Sequence, residues 1–132
     1  MHIGNLAAAS GLTTKTIRFY EQADILPPPP RTRGGYRDYP PETASRLAFI
    51  RRAQAAGLSL AEIRTILAIR DVGDAPCQHV TDLITKHLRQ IDQRLVELRH
   101  TRRVLQQLSR RAATTDPIDC SQTDICTILT RT

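Results

Sequence analysis

From Cys77 onward the chain carries an aliphatic stripe, Ile84, Leu88, Ile91, Leu95, Leu98 and Leu105, whose spacing alternates between four and three. That is the period of an a/d seam, so the stripe predicts one long coiled-coil helix over residues 76–111. Pro76 suits the first helical turn, where a missing N–H costs nothing. Traced backwards through Thr81, the seam reaches Cys77, whereas Arg102 places in it a charge that must snorkel or meet an acid. About 35 residues rising ~1.5 Å each make a rod of about 50 Å. The alternative is a helix packed on its own domain, but nothing else in the chain is long enough to cover it, which favours dimerisation.

The first seventy residues show shorter patterns. Ile3 to Ala9 predicts a short helix, Ser10-Gly11-Leu12-Thr13 a turn, and Thr14 the start of a second helix with Thr13 as N-cap. Ile17 with Phe19 or Tyr20 packs back on Ile3, Leu6 and Leu12, leaving Lys15, Thr16 and Arg18 exposed. Two helices about such a turn read as a helix-turn-helix or as a plain helical hairpin. Pro27 to Pro30 form a stiff connector, after which Gly34-Gly35 marks a small β-hairpin, or wing. Arg31, Arg33 and Arg37 interleave there with Tyr36 and Tyr39, and guanidinium forks match phosphate oxygens. Such a hairpin is often a solvated loop, but directly after a helix-turn-helix it reads as a second phosphate clamp. Pro40 and Pro41 open a helix with Ala44, Leu47, Ala48 and Ile50 inward and Arg46, Arg51 and Arg52 outward, before Gly57 ends it. Ser59 to Glu62 has the capping-box spacing, and Leu60, Ile63, Ile66 and Leu67 form the next buried stripe. Residues 1–70 thus form one domain, 71–75 a hinge around Gly73, 76–111 the dimerisation helix and 112–132 a cysteine-bearing loop with a short closing helix that starts at Cys126.

Composition sharpens this picture. In 132 residues with 4% aromatics and no Trp, a core of Leu, Ile and Ala suits an all-α fold. The chain is too short for a roomy catalytic pocket, and no paired carboxylates, Cys–His pair or phosphate loop converge, which argues against an enzyme. A net charge of +6 suggests a polyanionic partner, with nucleic acid first. Neither a leader nor a membrane span is predicted, so the expectation is a cytoplasmic protein. Three cysteines in a reducing compartment read as ligands or sensors.

Taken together, the stretches Leu12 to Glu21, Arg31 with Gly35 to Tyr39, Leu47 to Ala53 and Gly57 to Ile63 resemble the MerR family of transcription regulators. One departure is Asp24, where the family usually closes the recognition helix with Gly; Asp tolerates the left-handed backbone better than most residues. The resemblance implies a winged helix-turn-helix dimer joined by an antiparallel coiled coil. It places Lys15, Arg18 and Tyr20, with Thr14 at the helix start, on DNA, and Arg31, Tyr36 and Arg37 on phosphates. It implies further that the dimer sits on a promoter and distorts it so that RNA polymerase engages, a deformation costing several kcal/mol.

Cys120 and Cys126 share one small loop, and thiolates suit Cu(I), Zn(II), Cd(II), Hg(II) or Pb(II). The pair alone is equally compatible with a redox disulfide or with buried apolar side chains. Within one chain the rod separates Cys77 from its far end by about 50 Å, while residues 112–119 span at most about 28 Å. One subunit therefore cannot gather all three sulfurs. In the antiparallel pair that the resemblance implies, Cys77 approaches the partner's Cys120 and Cys126. In the family, Cys at this first-turn position accompanies divalent ions and Ser accompanies Cu(I), Ag(I) or Au(I). The expected inducer is accordingly Hg, Pb, Cd or Zn; the alternatives are a Cu(I)/Au(I) sensor or a thiol redox sensor using Cys120 and Cys126. Zinc would want a fourth ligand from His79, Asp119, Asp124 or water. His79 reads as a surface residue, and Asp119 and Asp124 read as loop-turn residues. The two loop cysteines lie closer together than in the better-known metal-sensing members, and Ala112 stands where those often keep the first cysteine.

Overall fold

The computed structural model describes residues 1–119 and 125–130, with the side chain of Asp119 not included. Cys120 and Asp124 lie outside the described residues. Helices α1 (Ile3–Ser10), α2 (Thr14–Gln22), α3 (Glu42–Ala55), α4 (Leu60–Asp71), α5 (Cys77–Thr114) and α6 (Thr127–Thr130) follow in order, with a 3-10 turn at Pro117–Asp119. Two compact units result, Met1–Leu83 and Ile84–Thr132.

In the first unit, turn chemistry sets the helix ends. Gly11 takes φ 68°, and Leu12 N–H reaches back to Ala7 O at 3.2 Å, so α1 closes in a Schellman motif. Thr13 then caps α2 by accepting from Thr16 N–H at 3.1 Å. Gly57, at φ 92°, stops α3 in the same way as Gly11 stops α1, with Leu58 N–H on Ala53 O at 3.1 Å. The Ser59 capping box is complete: Ser59 Oγ accepts from Glu62 N–H at 3.1 Å, and Glu62 Oε1 accepts from Ser59 N–H at 2.9 Å. Leu6, Ile17, Ile25, Leu47, Ile50 and Ile63 are fully buried. Each such side chain contributes about 1.5–3 kcal/mol relative to exposure.

Two expectations for α3 change. Ala48 faces outward, because Leu47, Ile50 and Ala53 already define the buried stripe. Arg46, expected outside, is turned in and hydrogen-bonded. The wing is also slighter than a hairpin of two strands: among the described residues its only bridge is Arg31 with Arg37, antiparallel.

In α5 no side chain is buried. Ile84, Leu88, Ile91, Leu95, Leu98 and Leu105 remain between 44% and 64% exposed, a bare apolar stripe along a helix of about 55 Å. After α5, Arg111 Nη1 donates to Ile128 O at 2.8 Å, which ties α6 back to the rod's last turn. Among the described residues no helix is long and apolar enough to cross a membrane.

Candidate nucleic-acid interface and thiol sites

Lys15 and Arg18 stand exposed on α2, and Thr14 is half-buried at its first turn. Tyr20 does not join them. It is 5% exposed, and its hydroxyl donates to Gln54 Oε1 at 2.8 Å, which makes it a core residue bracing α2 on α3. Phe19 takes the outward position instead, at 50% exposure. A nine-residue helix with Ile17 facing inward offers its next turn's inward place to residue 20 rather than 19, so the alternative between the two rings falls to Tyr20.

The wing is built by its own turn. Gly35 takes φ 82° and its N–H reaches Thr32 O at 2.9 Å, while Thr32 N–H donates to Tyr36 O at 2.7 Å. Arg31 Nη1 donates to Gly35 O at 3.0 Å, and Arg33 and Tyr36 are exposed. Arg37 Nε donates to Glu21 Oε2 at 3.1 Å, leaving its two terminal nitrogens for an anion. Tyr39 O–H donates to the other oxygen of the same carboxylate. Burial, and then the hydrogen bond and charge of Glu21, push the Tyr39 phenol up to about 12. Glu21 therefore docks the wing on α2. Arg18, Arg31 and Arg37 line one cleft of about 460 Å³ with His2, Ile3 and Tyr36. Three guanidiniums about one opening match a phosphate in charge and in geometry.

Two further arginines fix where α2 ends, and a third fixes the end of α1. Arg64 donates through Nε and Nη2 to Ala23 O at 3.0 and 2.7 Å. Arg46 Nε donates to Ile25 O at 2.9 Å, and Arg51 Nη1 donates to Ser10 O at 2.7 Å at the end of α1. Between them the chain turns through Asp24 at φ 59°, the left-handed conformation expected where Gly is usual. None of Glu21, Arg46, Arg51 and Arg64 was singled out from the sequence as a site residue. Glu21 alone carried a signal, an acid in the last turn of a helix, where the dipole disfavours it.

Of the thiols, Cys77 is exposed at the first residue of α5 and Cys126 is half-buried just before α6. Both are free, and His79 is half-buried. Next in sequence to Cys126, Thr127 is 4% exposed and its hydroxyl has no hydrogen-bond partner among the described residues. Among those residues no three His, Cys, Asp or Glu side chains form a group.

A capped helix-turn-helix, a basic wing docked on its second helix and a cleft of guanidiniums define a winged helix-turn-helix DNA-binding protein. Residues 1–68 match the family model described as MerR HTH family regulatory protein, and residues 44–108 match the one described as MerR, DNA binding. The chain belongs to the MerR family of DNA-binding transcription regulators and is not an enzyme. It is 36% identical over 116 residues, 88% of this chain and 86% of the relative, to the HTH-type transcriptional regulator ZntR homolog of Haemophilus influenzae. To the mercuric resistance operon regulatory protein of Bacillus cereus it is 37% identical over 109 residues, 83% of each chain. Its fold is similar, at TM-score 0.78 and 36% identity, to the crystal structure of a transcription regulator from Ralstonia metallidurans in complex with lead(II), covering 91% of this chain and 94% of that one.

Proposed function

We propose that this protein is a cytoplasmic, homodimeric transcription activator that answers a thiophilic divalent ion, Hg(II), Pb(II), Cd(II) or Zn(II), and controls resistance or efflux genes. The observation that carries the reading is the free, exposed thiol of Cys77 at the first residue of α5, in a chain of the MerR family. A relative named for mercuric resistance and a similar structure holding lead(II) support the ion class. The ligands of each site are Cys77 of one subunit with the partner's Cys120 and Cys126. The donors suit such an ion: thiolates are soft, and the orphaned, buried hydroxyl of Thr127 is a donor that a neighbouring thiolate could accept. The ion, once bound, supplies a crosslink between subunits.

The chain's own residues do the rest. Lys15 and Arg18 on α2, with Thr14 at its start, face the promoter, and Arg31, Arg33, Tyr36 and Arg37 hold phosphates from the wing. The segment between α4 and α5 is the hinge about which the winged units close on bent DNA, a deformation of several kcal/mol that differential ligand binding can supply. RNA polymerase then engages the reshaped promoter.

The test is titration of the reduced protein with each ion, followed by thiolate charge-transfer absorbance and promoter output. Cys77→Ser should abolish the divalent response while leaving promoter affinity nearly intact. Unchanged induction in that variant would remove the three-thiolate reading.

A further inference from the structure

The flanks of the bare α5 stripe carry charges that the chain itself does not use. Asp92 and Arg99 both directly follow a seam residue, Ile91 and Leu98, so they lie on the same flank one heptad apart. Both are exposed, and neither makes an ion pair within the chain among the described residues. Arg94 lies on the opposite flank, directly before Leu95.

We infer that Asp92 and Arg99 form two reciprocal ion pairs with the partner's Arg99 and Asp92, and that these pairs set the direction and register of the α5 dimer. The inference deepens the dimeric reading above and rests on it; its occupant for the stripe is a second copy of this chain. Reversing one helix brings like flanks together, whereas two parallel helices face opposite flanks. A parallel pair therefore sets Arg94 against the partner's Arg99, twice; a reversed pair sets Asp92 against it, twice. Register follows from symmetry. When Cys77–Thr114 overlaps its inverted copy end to end, the midpoint falls between Leu95 and Val96, and Asp92 and Arg99 lie equally far on either side of it. Sliding by one heptad in either direction sets Asp92 on its own copy, or Arg99 on its own copy. Full overlap is the register that matches opposite charges, and it brings Cys77 level with the partner's Thr114, where the thiol-bearing loop begins.

The test uses full-length, metal-free protein carrying Asp92→Arg or Arg99→Asp, with self-association measured by sedimentation equilibrium. Each variant alone should self-associate on the order of tenfold more weakly, since two attractions become two repulsions. An equimolar mixture of the two should form heterodimers of wild-type strength, as should the doubly substituted chain with itself. Recovery on mixing separates charge matching from misfolding. A mixture no stronger than its components overturns the inference, and so does an Arg99→Asp chain that dimerises more tightly than wild type, the result a parallel pair gives. Because no metal is present, these outcomes stand apart from the Cys77→Ser result that tests the sensing reading.

Discussion

Arg46 and Asp71 form a bidentate ion pair, Nη1 to Oδ1 at 2.8 Å and Nη2 to Oδ2 at 3.0 Å, while Arg46 Nε simultaneously holds Ile25 O at 2.9 Å. One guanidinium thus joins the exit of α2 to the last residue of α4, the point at which the segment leading to Cys77 departs.

Removing the two partners should cost different amounts. Arg46→Ala orphans the carbonyl of a fully buried residue and should destabilise the first unit by about 1–3 kcal/mol. Asp71→Asn touches only the half-exposed end of the pair and should cost less than about 1 kcal/mol. The hydrogen bonds from Arg46 hold the Asp71 carboxyl below its ordinary value. Its contribution is therefore complete above the ordinary carboxylate range and fades as pH falls through the lowered value. Urea midpoints at neutral and acid pH check this: the gap between wild type and Asp71→Asn should close on acidification.

The wing should loosen when Glu21 loses its charge. In Glu21→Gln the ion pair to Arg37 is gone, and the Tyr39 phenol, pushed up to about 12 in the wild type, should titrate closer to its ordinary value. A phenol raised on folding stabilises the fold below pH ~10 and loses that contribution as pH climbs towards the folded value. Alkaline phenolate absorbance should show Tyr39 titrating late in the wild type and earlier in the variant, with weaker promoter binding at neutral pH.

Arg18 and Tyr20, two residues apart on α2, should behave oppositely. Arg18→Ala removes a cleft guanidinium and should weaken binding to all DNA sequences, reducing the salt slope by about 1. Tyr20→Phe should leave that slope unchanged and lower stability by about 1 kcal/mol through the lost bond to Gln54. Binding isotherms at several salt concentrations separate the two.

Asp24→Gly should stabilise the protein by about 0.5–1 kcal/mol, because Gly carries no penalty at φ 59° and no described hydrogen bond depends on the Asp side chain. Thermal unfolding at fixed protein concentration measures it.

Ligand sharing can be tested with forced heterodimers. Chains bearing Asp92→Arg with Cys77→Ser, mixed with chains bearing Arg99→Asp with Cys126→Ser, retain one intact site if the thiols are shared between subunits. They retain none if each site belongs to a single chain. Metal stoichiometry from charge-transfer titration should halve relative to the unsubstituted heterodimer.

Much of the first unit was legible in the sequence because its signals are local. Thr13, Ser59, Gly11 and Gly57 act within a few residues of themselves, and each sits where its spacing placed it. What the sequence does not announce depends on distant carbonyls. Arg51 reaches Ser10, Arg64 reaches Ala23 and Arg46 reaches Ile25, all across the fold, and nothing in an arginine's neighbours announces such a target. Tyr20 shows the same limit from the other side: its place in the buried stripe was one of two open choices, and its role as a DNA contact came from family resemblance, which does not see Gln54. On the candidate site, the sequence marked the arginines of the cleft but not Glu21, the carboxylate that orients one of them.

The long helix that buries none of its own side chains has a consequence for the protein's economy in the cell. In the proposed dimer a sister molecule covers this surface, which makes abundance a determinant of lifetime: dilution lays the stripe open to proteases, and synthesis of further copies shelters it. The melting temperature should climb with concentration, and a poorly expressed variant will look less stable than its fold deserves.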